Sequence, residues 1–239
     1  MELIVHKERK FKRPQMVAAW PGMALLAKMS VDYLIHHLHA KPFAEIRSRG
    51  NSITIKNGVA DTLVARDQFY HDRNTVMFSG QRQPGNDEDI YKLAELVIDL
   101  AENLKVQRLF TIAAFPAAFS DPPKVYGTAN RRTILQELRR FNIPILRDGF
   151  VTGLNGVLIG VAKERDIDAV CLLGQVHSIN IPQPRTVKAV LDVLATMLEI
   201  NIDTRSLVKQ AEQMEQSIQK ELERLQSSKG KKETQFYIS

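Results

Sequence analysis

The chain has 239 residues, 44% of them hydrophobic and 25% charged, the composition of an ordinary globular protein with enough apolar material for a sizeable core. Its apolar stretches, such as VAAWPGMALLAKM and GVLIGVA, are too short or too interrupted to cross a bilayer at about 20 residues per span. The net charge of +6 is concentrated at the ends: residues 1 to 13 supply +3 and residues 228 to 239 supply +2, which leaves the body near +1 and argues against a broad nucleic-acid footprint.

The opening stretch MELIVHKERKFKRP sets its apolar residues before its charges, the reverse of a secretory signal, and cytoplasmic residence is expected. Short apolar strands then alternate with amphipathic helices, the pattern of an α/β layered domain. Strands are expected at LIVH, 15–20, 43–48, across a hairpin in SITIKNGVADTLVA, and at 75–80, 107–115 and 169–174. Asn57-Gly58 marks the hairpin turn, because both residues tolerate positive φ. Helices are expected at about 22–38, 87–105, 130–141, 155–165 and 185–199. Asn86 and Asp87 are placed to cap the second helix, whose Ile90, Leu93, Ala94, Val97, Ile98 and Ala101 share one face. Pro184 precedes the last of them. Residues 1–203 read as one domain.

After Asp203 the composition changes. Leu207, Ala211, Met214, Ile218, Leu222 and Leu225 form a narrow seam among charged residues and Gln, which fits a helix over 204–227 laid on the domain or paired with another subunit. Residues 228–239 read as a flexible basic tail that carries Phe236, Tyr237, Ile238 and Ser239 away from the body.

Three stretches gather polar residues beside Gly or Pro ahead of a helix: AAWPGM, VYGTANRR and GLNGVLIGVAKE. In α/β domains ligands collect at such turns, so a crevice lined by Pro21, Gly22, Thr128, Asn130, Arg131, Gly153, Asn155, Gly156 and His177 is a candidate site. Thr128 or Asn130 would equally serve as the cap of the following helix, and Asn155 as the cap of the next. Gly156 and Gly160 fall on one helical face, where a missing side chain permits close packing; their spacing is neither a dinucleotide fingerprint nor a phosphate loop. The histidines form no metal-ligand pattern, with His36, His37 and His39 placed at a helix end. Cys171, in DAVCLLG, reads as a buried structural residue. No nucleophile elbow or catalytic constellation is present in the sequence, so no catalytic residue, metal or cofactor is expected.

AAWPGMALLAKMSVDYLI, VYGTAN, GFVTGLNGVLIGVAKERDIDAVCLLGQ and IPQPRTVKAVLDVLATMLEINID together resemble, in order, the proteasome assembly chaperone family of the second-subunit type, over roughly residues 14–203. The resemblance implies a three-layer α/β/α domain of phosphorylase/hydrolase-like fold, without demonstrated catalysis, in proteins that self-associate as homo-oligomers. It implies proteasome α-type subunits or a related chaperone as partners. It also implies a hydrophobic-Tyr-any tail that enters pockets between ring subunits; Phe236-Tyr237-Ile238 is similar to that tail, with Ser239 one residue beyond it. Self-docking of the tail is the other reading. A nucleoside, nucleotide or phosphate ligand in the crevice is the alternative function.

Overall fold

The computed structural model describes residues 1–233, with side chains through Glu221 apart from Asn51. Eight strands form one sheet: β1 (Glu2–Val5), β2 (Gln15–Ala19), β3 (Lys41–Lys56), β4 (Val59–Asp72), β5 (Thr75–Ser79), β6 (Arg108–Pro116), β7 (Val125–Ala129) and β8 (Asp168–Val176). The order across the sheet is β1-β3-β4-β5-β2-β6-β8-β7. The central strands β5, β2, β6 and β8 are parallel, while β1, β3, β4 and β7 pair antiparallel at the two sides.

Among the described residues six α-helices complete the fold: α1 (Leu26–His37), α2 (Asp87–Asn103), α3 (Arg132–Arg140), α4 (Leu154–Glu164), α5 (Pro184–Leu198) and α6 (Arg205–Glu233). Alternation along the strands divides the core in two. Val17 and Ala19 of β2 meet α1 and α5, together with Phe110, Val170 and Leu207. Met16, Ala18 and Trp20 point the other way, toward Leu93, Val97, Leu158 and Val161 of α2 and α4. Burial on both faces explains why the central strands read as continuous apolar runs. The result is the expected three-layer α/β/α domain with a C-terminal helical extension. Among the described residues no helix is long and apolar enough to cross a membrane.

Several local signals act as the sequence predicts. The Asn86 side chain accepts a hydrogen bond from the Asp89 amide at the start of α2 (2.9 Å), Pro184 occupies the first turn of α5, and Asn57 and Gly58 turn the hairpin with φ of 49° and 77°. Cys171 is buried, and burial pushes its thiol up to about 11.

Other expectations need correction. Residues 43–48 belong to the same long strand as the hairpin's first arm, so β3 is continuous from Lys41 to Lys56. Residues 125–129 form a strand, β7. Neither Thr128 nor Asn130 caps α3: the N-cap position is Arg131, while Asn130 donates to Ile167 O (2.8 Å) and accepts from the Ala169 amide (2.9 Å). Gly156 packs as expected, since a Cβ there would lie 2.0 Å from Val151 O, but nothing lies within 4 Å of a Cβ on Gly160. The last helix, α6, continues past 227 to Glu233.

Candidate interaction surface

The parallel strands β2, β6 and β8 end on one rim of the sheet, and the loops after them build the surface. After β2 the chain makes the Pro21-Gly22 turn and a 3₁₀ turn at Met23–Leu25, in which Ala24 and Leu25 both take φ of 52°. Non-glycine residues in this region are held there by their surroundings; here the Ala24 amide donates to Ile179 O (2.6 Å). Two buried or half-buried amides clamp the turn to the start of α4. Asn155 accepts from the Trp20 amide (3.1 Å), and Gln83 donates to Pro21 O (2.5 Å) while accepting from the Leu154 amide (3.1 Å). Gly153 has φ of 71°, and a Cβ there would sit 2.3 Å from Gln83 Oε1, so the clamp requires glycine.

Beneath this clamp lies a cavity of about 190 Å³, lined by Gly22, Met23, Gln83, Thr152, Gly153 and Asn155 among others. It sits where β2 and β6 send their crossovers in opposite directions, the usual place for a ligand in an open α/β sheet. The cavity brings together part of the candidate crevice. His177 is on the same rim, but its ring packs edge-on against Phe119 (5.5 Å) in a neighbouring groove. Gly156 lies in the first turn of α4, against Val151.

Thr128, Asn130 and Arg131 are at the opposite edge. Because β7 runs antiparallel to β8, its C-terminal end lies beside the start of β8, where Thr128 pairs with Cys171 and Ala129 with Val170. Arg131 is committed there to ion pairs with Asp166 and Asp168, the latter at 2.7 Å. Among the described residues no Lys, Arg or His lines the cavity, so an anionic ligand would find no cationic side chain there.

The rim is instead rich in exposed apolar side chains. Phe150, between α3 and α4, is 98% exposed, and Phe119 after β6 is 67% exposed. Met23, Leu25, Ile179 and Ile181 are each exposed by more than two-fifths. Phe119 and Ile181 border an apolar groove whose far wall is Met214 and Ile218 of α6. Arg185 and Glu215 bridge the groove through paired hydrogen bonds of 2.7 and 3.0 Å. An exposed apolar groove of this kind, lined by Phe119, Ile181, Met214 and Ile218, marks an interaction site. Sequence reasoning missed Gln83, Phe119, Phe150 and Ile181; the aromatic in RDGFVTG, flanked by Gly149 and Gly153 in a loop, was the available signal for Phe150.

Along α6 the predicted seam divides. Leu207 and Ala211 are buried against the domain, Met214 is half-buried and Ile218 is 45% exposed, so the helix leaves the body as it proceeds. The side chains of Leu222 and Leu225, and all of Phe236, Tyr237, Ile238 and Ser239, lie outside the described residues.

Lys28, Asp32 and Ser79 form a polar cluster. Lys28 Nζ donates to Ser79 Oγ (2.8 Å), which donates to Asp32 Oδ1 (2.6 Å). The hydroxyl is buried, and these bonds pin α1 to the end of β5.

The PAC2 family model matches residues 16–222. An uncharacterized protein of Methanocaldococcus jannaschii is 26% identical over 245 residues, covering 100% of this chain and 98% of that one. Among solved structures, Pyrococcus furiosus PbaB, described as an archaeal proteasome activator, superposes with a TM-score of 0.80 at 21% identity, covering 92% of this chain and 97% of its own. Pyrococcus furiosus PbaA, described as an archaeal homolog of proteasome-assembly chaperone, gives a TM-score of 0.76 at 20% identity, with coverage of 95% and 99%.

Proposed function

We propose that this chain, which belongs to the PAC2 family, is a non-catalytic, chaperone-like binding protein that self-associates and docks on proteasome-type ring subunits or a related assembly. The observation that carries the reading is the apolar rim around Phe119, Phe150 and Ile181, facing solvent beside a groove walled by α6. A soluble chain keeps such a surface for a partner, since scattered exposed residues are common but a fully exposed Phe in the company of five other exposed apolar side chains is not. The similarity to PbaB and PbaA supports ring subunits as the partner class. The segment Phe236-Tyr237-Ile238 supplies a second contact in this reading, inserted between ring subunits as an extended apolar anchor.

The test is capture of purified proteasome α-type rings by the full chain, by a chain ending at Thr234, and by Phe150→Asp. Phe150 touches no core residue that the substitution would disturb, so its melting temperature should match the parent. The rim reading expects Phe150→Asp to weaken capture at least about tenfold, one decade being 1.4 kcal/mol. Truncation should weaken it independently. Unchanged capture by both variants overturns the docking surface, and absence of capture by the full chain overturns the partner.

A further inference from the structure

The hairpin of β3 and β4 extends well beyond the sheet that supports it. β1 pairs with β3 only at Ala44–Arg47, and β5 pairs with β4 only at Gln68–Asp72. From Arg49 to Arg66 the two strands therefore have each other and no further neighbour among the described residues. A two-stranded ribbon is marginal in water, and its open edges invite a further strand. Two of the usual guards against pairing, charge and proline, are absent from the edge of β3 between Arg49 and Lys56, and the register shift between β3 and β4 at Arg49–Ile53 ends where Ile53 resumes regular pairing. The edge carries Ile53 and Ile55 instead, 59% and 68% exposed. Cross-strand register puts them on one face with Ala60 and Thr62, and Val64, also exposed, follows on the same face.

The turn fixes which backbone groups are free. Asn57 and Gly58, both at positive φ, form a two-residue loop closed by Lys56 and Val59. In such a hairpin the closing pair is hydrogen-bonded, and pairs then alternate. Thr54 with Asp61 is bonded inward, while Ile53 with Thr62 and Ile55 with Ala60 are not. The N–H and C=O groups of Ile53 and Ile55 thus face outward on the open edge of β3.

The geometry points to a second copy of this chain as the strand that covers this edge, paired antiparallel about a two-fold axis at Thr54. The run Ser52-Ile53-Thr54-Ile55-Lys56 is nearly symmetric about its centre. In that register Ile53 of one copy faces Ile55 of the second, twice over, as bonded pairs that use all four outward groups. Lys56 faces Ser52, so no like charges meet. Centring on Ile53 or Ile55 instead would leave a single Ile-Ile pair. The outer edge of β4 is less suited, because centring there on Thr62 sets Asp61 against Leu63. The pairing makes an isologous four-stranded ribbon, the commonest symmetry of homo-oligomers.

This surface lies on the β3–β4 arm rather than on the rim, and the inference does not rest on ring binding. Thr54 on the axis provides the test. In the two-fold pair the two Thr54 residues form a non-hydrogen-bonded pair with Cα atoms about 4.5 Å apart, within reach of a disulfide. Oxidised full-length Thr54→Cys should form a covalent dimer on non-reducing gels. Asp61→Cys, on β4, the outer strand of that ribbon, should not. Ile53→Cys and Ile55→Cys should cross-link when mixed and not singly. The single native thiol, Cys171, is buried and stays out of the reaction. Sedimentation velocity of the unmodified chain should show concentration-dependent dimer that Ile53→Lys/Ile55→Lys abolishes while circular dichroism is unchanged. Equal cross-linking of Thr54→Cys and Asp61→Cys, no cross-linking at all, or a dimer that survives the double lysine variant overturns the inference. Cross-linking failure with ring capture intact would overturn this surface and leave the proposed function standing.

Discussion

His71 sits on β4 between the rings of Phe11 and Phe43, edge-on to both at 5.7 and 5.6 Å. Neither ring nitrogen has a hydrogen-bond partner among the described residues. Burial lowers its pKa, Arg9, Lys41 and Lys7 add to the effect, and Asp72 opposes it. The folded protein therefore prefers the neutral imidazole, whereas the unfolded chain takes a proton near pH 6.5. Stability from this residue is full above that pH and is lost as pH falls toward the lower folded value. His71→Phe keeps the ring contacts and should flatten the dependence of melting temperature on pH below about 6.5. Two glycines of α4 give opposite expectations at the same scale. Gly156→Ala drives a methyl into Val151 O and should cost about 2–3 kcal/mol in urea denaturation. Gly160→Ala meets nothing and should gain about 0.5–1 kcal/mol by stiffening the helix. Their sequence spacing made them look alike; only the neighbouring loop distinguishes them.

At the scale of elements, what the sequence displayed was whatever had a period or a cap. The apolar face of α2 behind Asn86 and the Pro184 start of α5 are local signals, and both elements form within a residue or two of their expected bounds. Strand β7 had no such signal. VYGTA is short and contains Gly127, where a Cβ would lie 2.9 Å from Leu138 Cδ1, and its strand state comes from pairing with β8 some 45 residues later. The seam of α6 was visible, but not that only its first half is covered. That division sets a prediction: Leu207→Ala should cost about 2–5 kcal/mol by emptying a core position. Ile218→Ala should shift chemical denaturation by less than about 0.5 kcal/mol, as exposed substitutions do.

Over the whole molecule, strand direction decides which candidate residues meet. Pro21, Gly22, Gly153 and Asn155 converge because β2 and the start of α4 share a rim, although Trp20 and Asn155 are 135 positions apart. Thr128, Asn130 and Arg131 looked equally eligible in the sequence, and the antiparallel sense of β7 sends them to the far edge, where Arg131 answers Asp166 and Asp168. Nothing periodic in VYGTANRR encodes that direction. Asn155 is one of the two side chains that clamp the rim, so Asn155→Ala, by leaving the Trp20 amide buried and unpaired, should lower unfolding free energy by about 1–3 kcal/mol. A matching loss of protection at the Trp20 amide in hydrogen exchange would locate the damage.

The long reach of α6 has a mechanical meaning. Beyond Ala211, the last buried residue of the helix among those whose side chains are described, the axis advances about 33 Å to Glu233, roughly the diameter of a small domain. A tilt of about 10° at that pivot would carry the far end through about 6 Å, while its distance from the pivot stays fixed by the helical rise. The end of α6 is thus a boom: swung from that pivot, Glu233 would trace a shallow arc at constant radius.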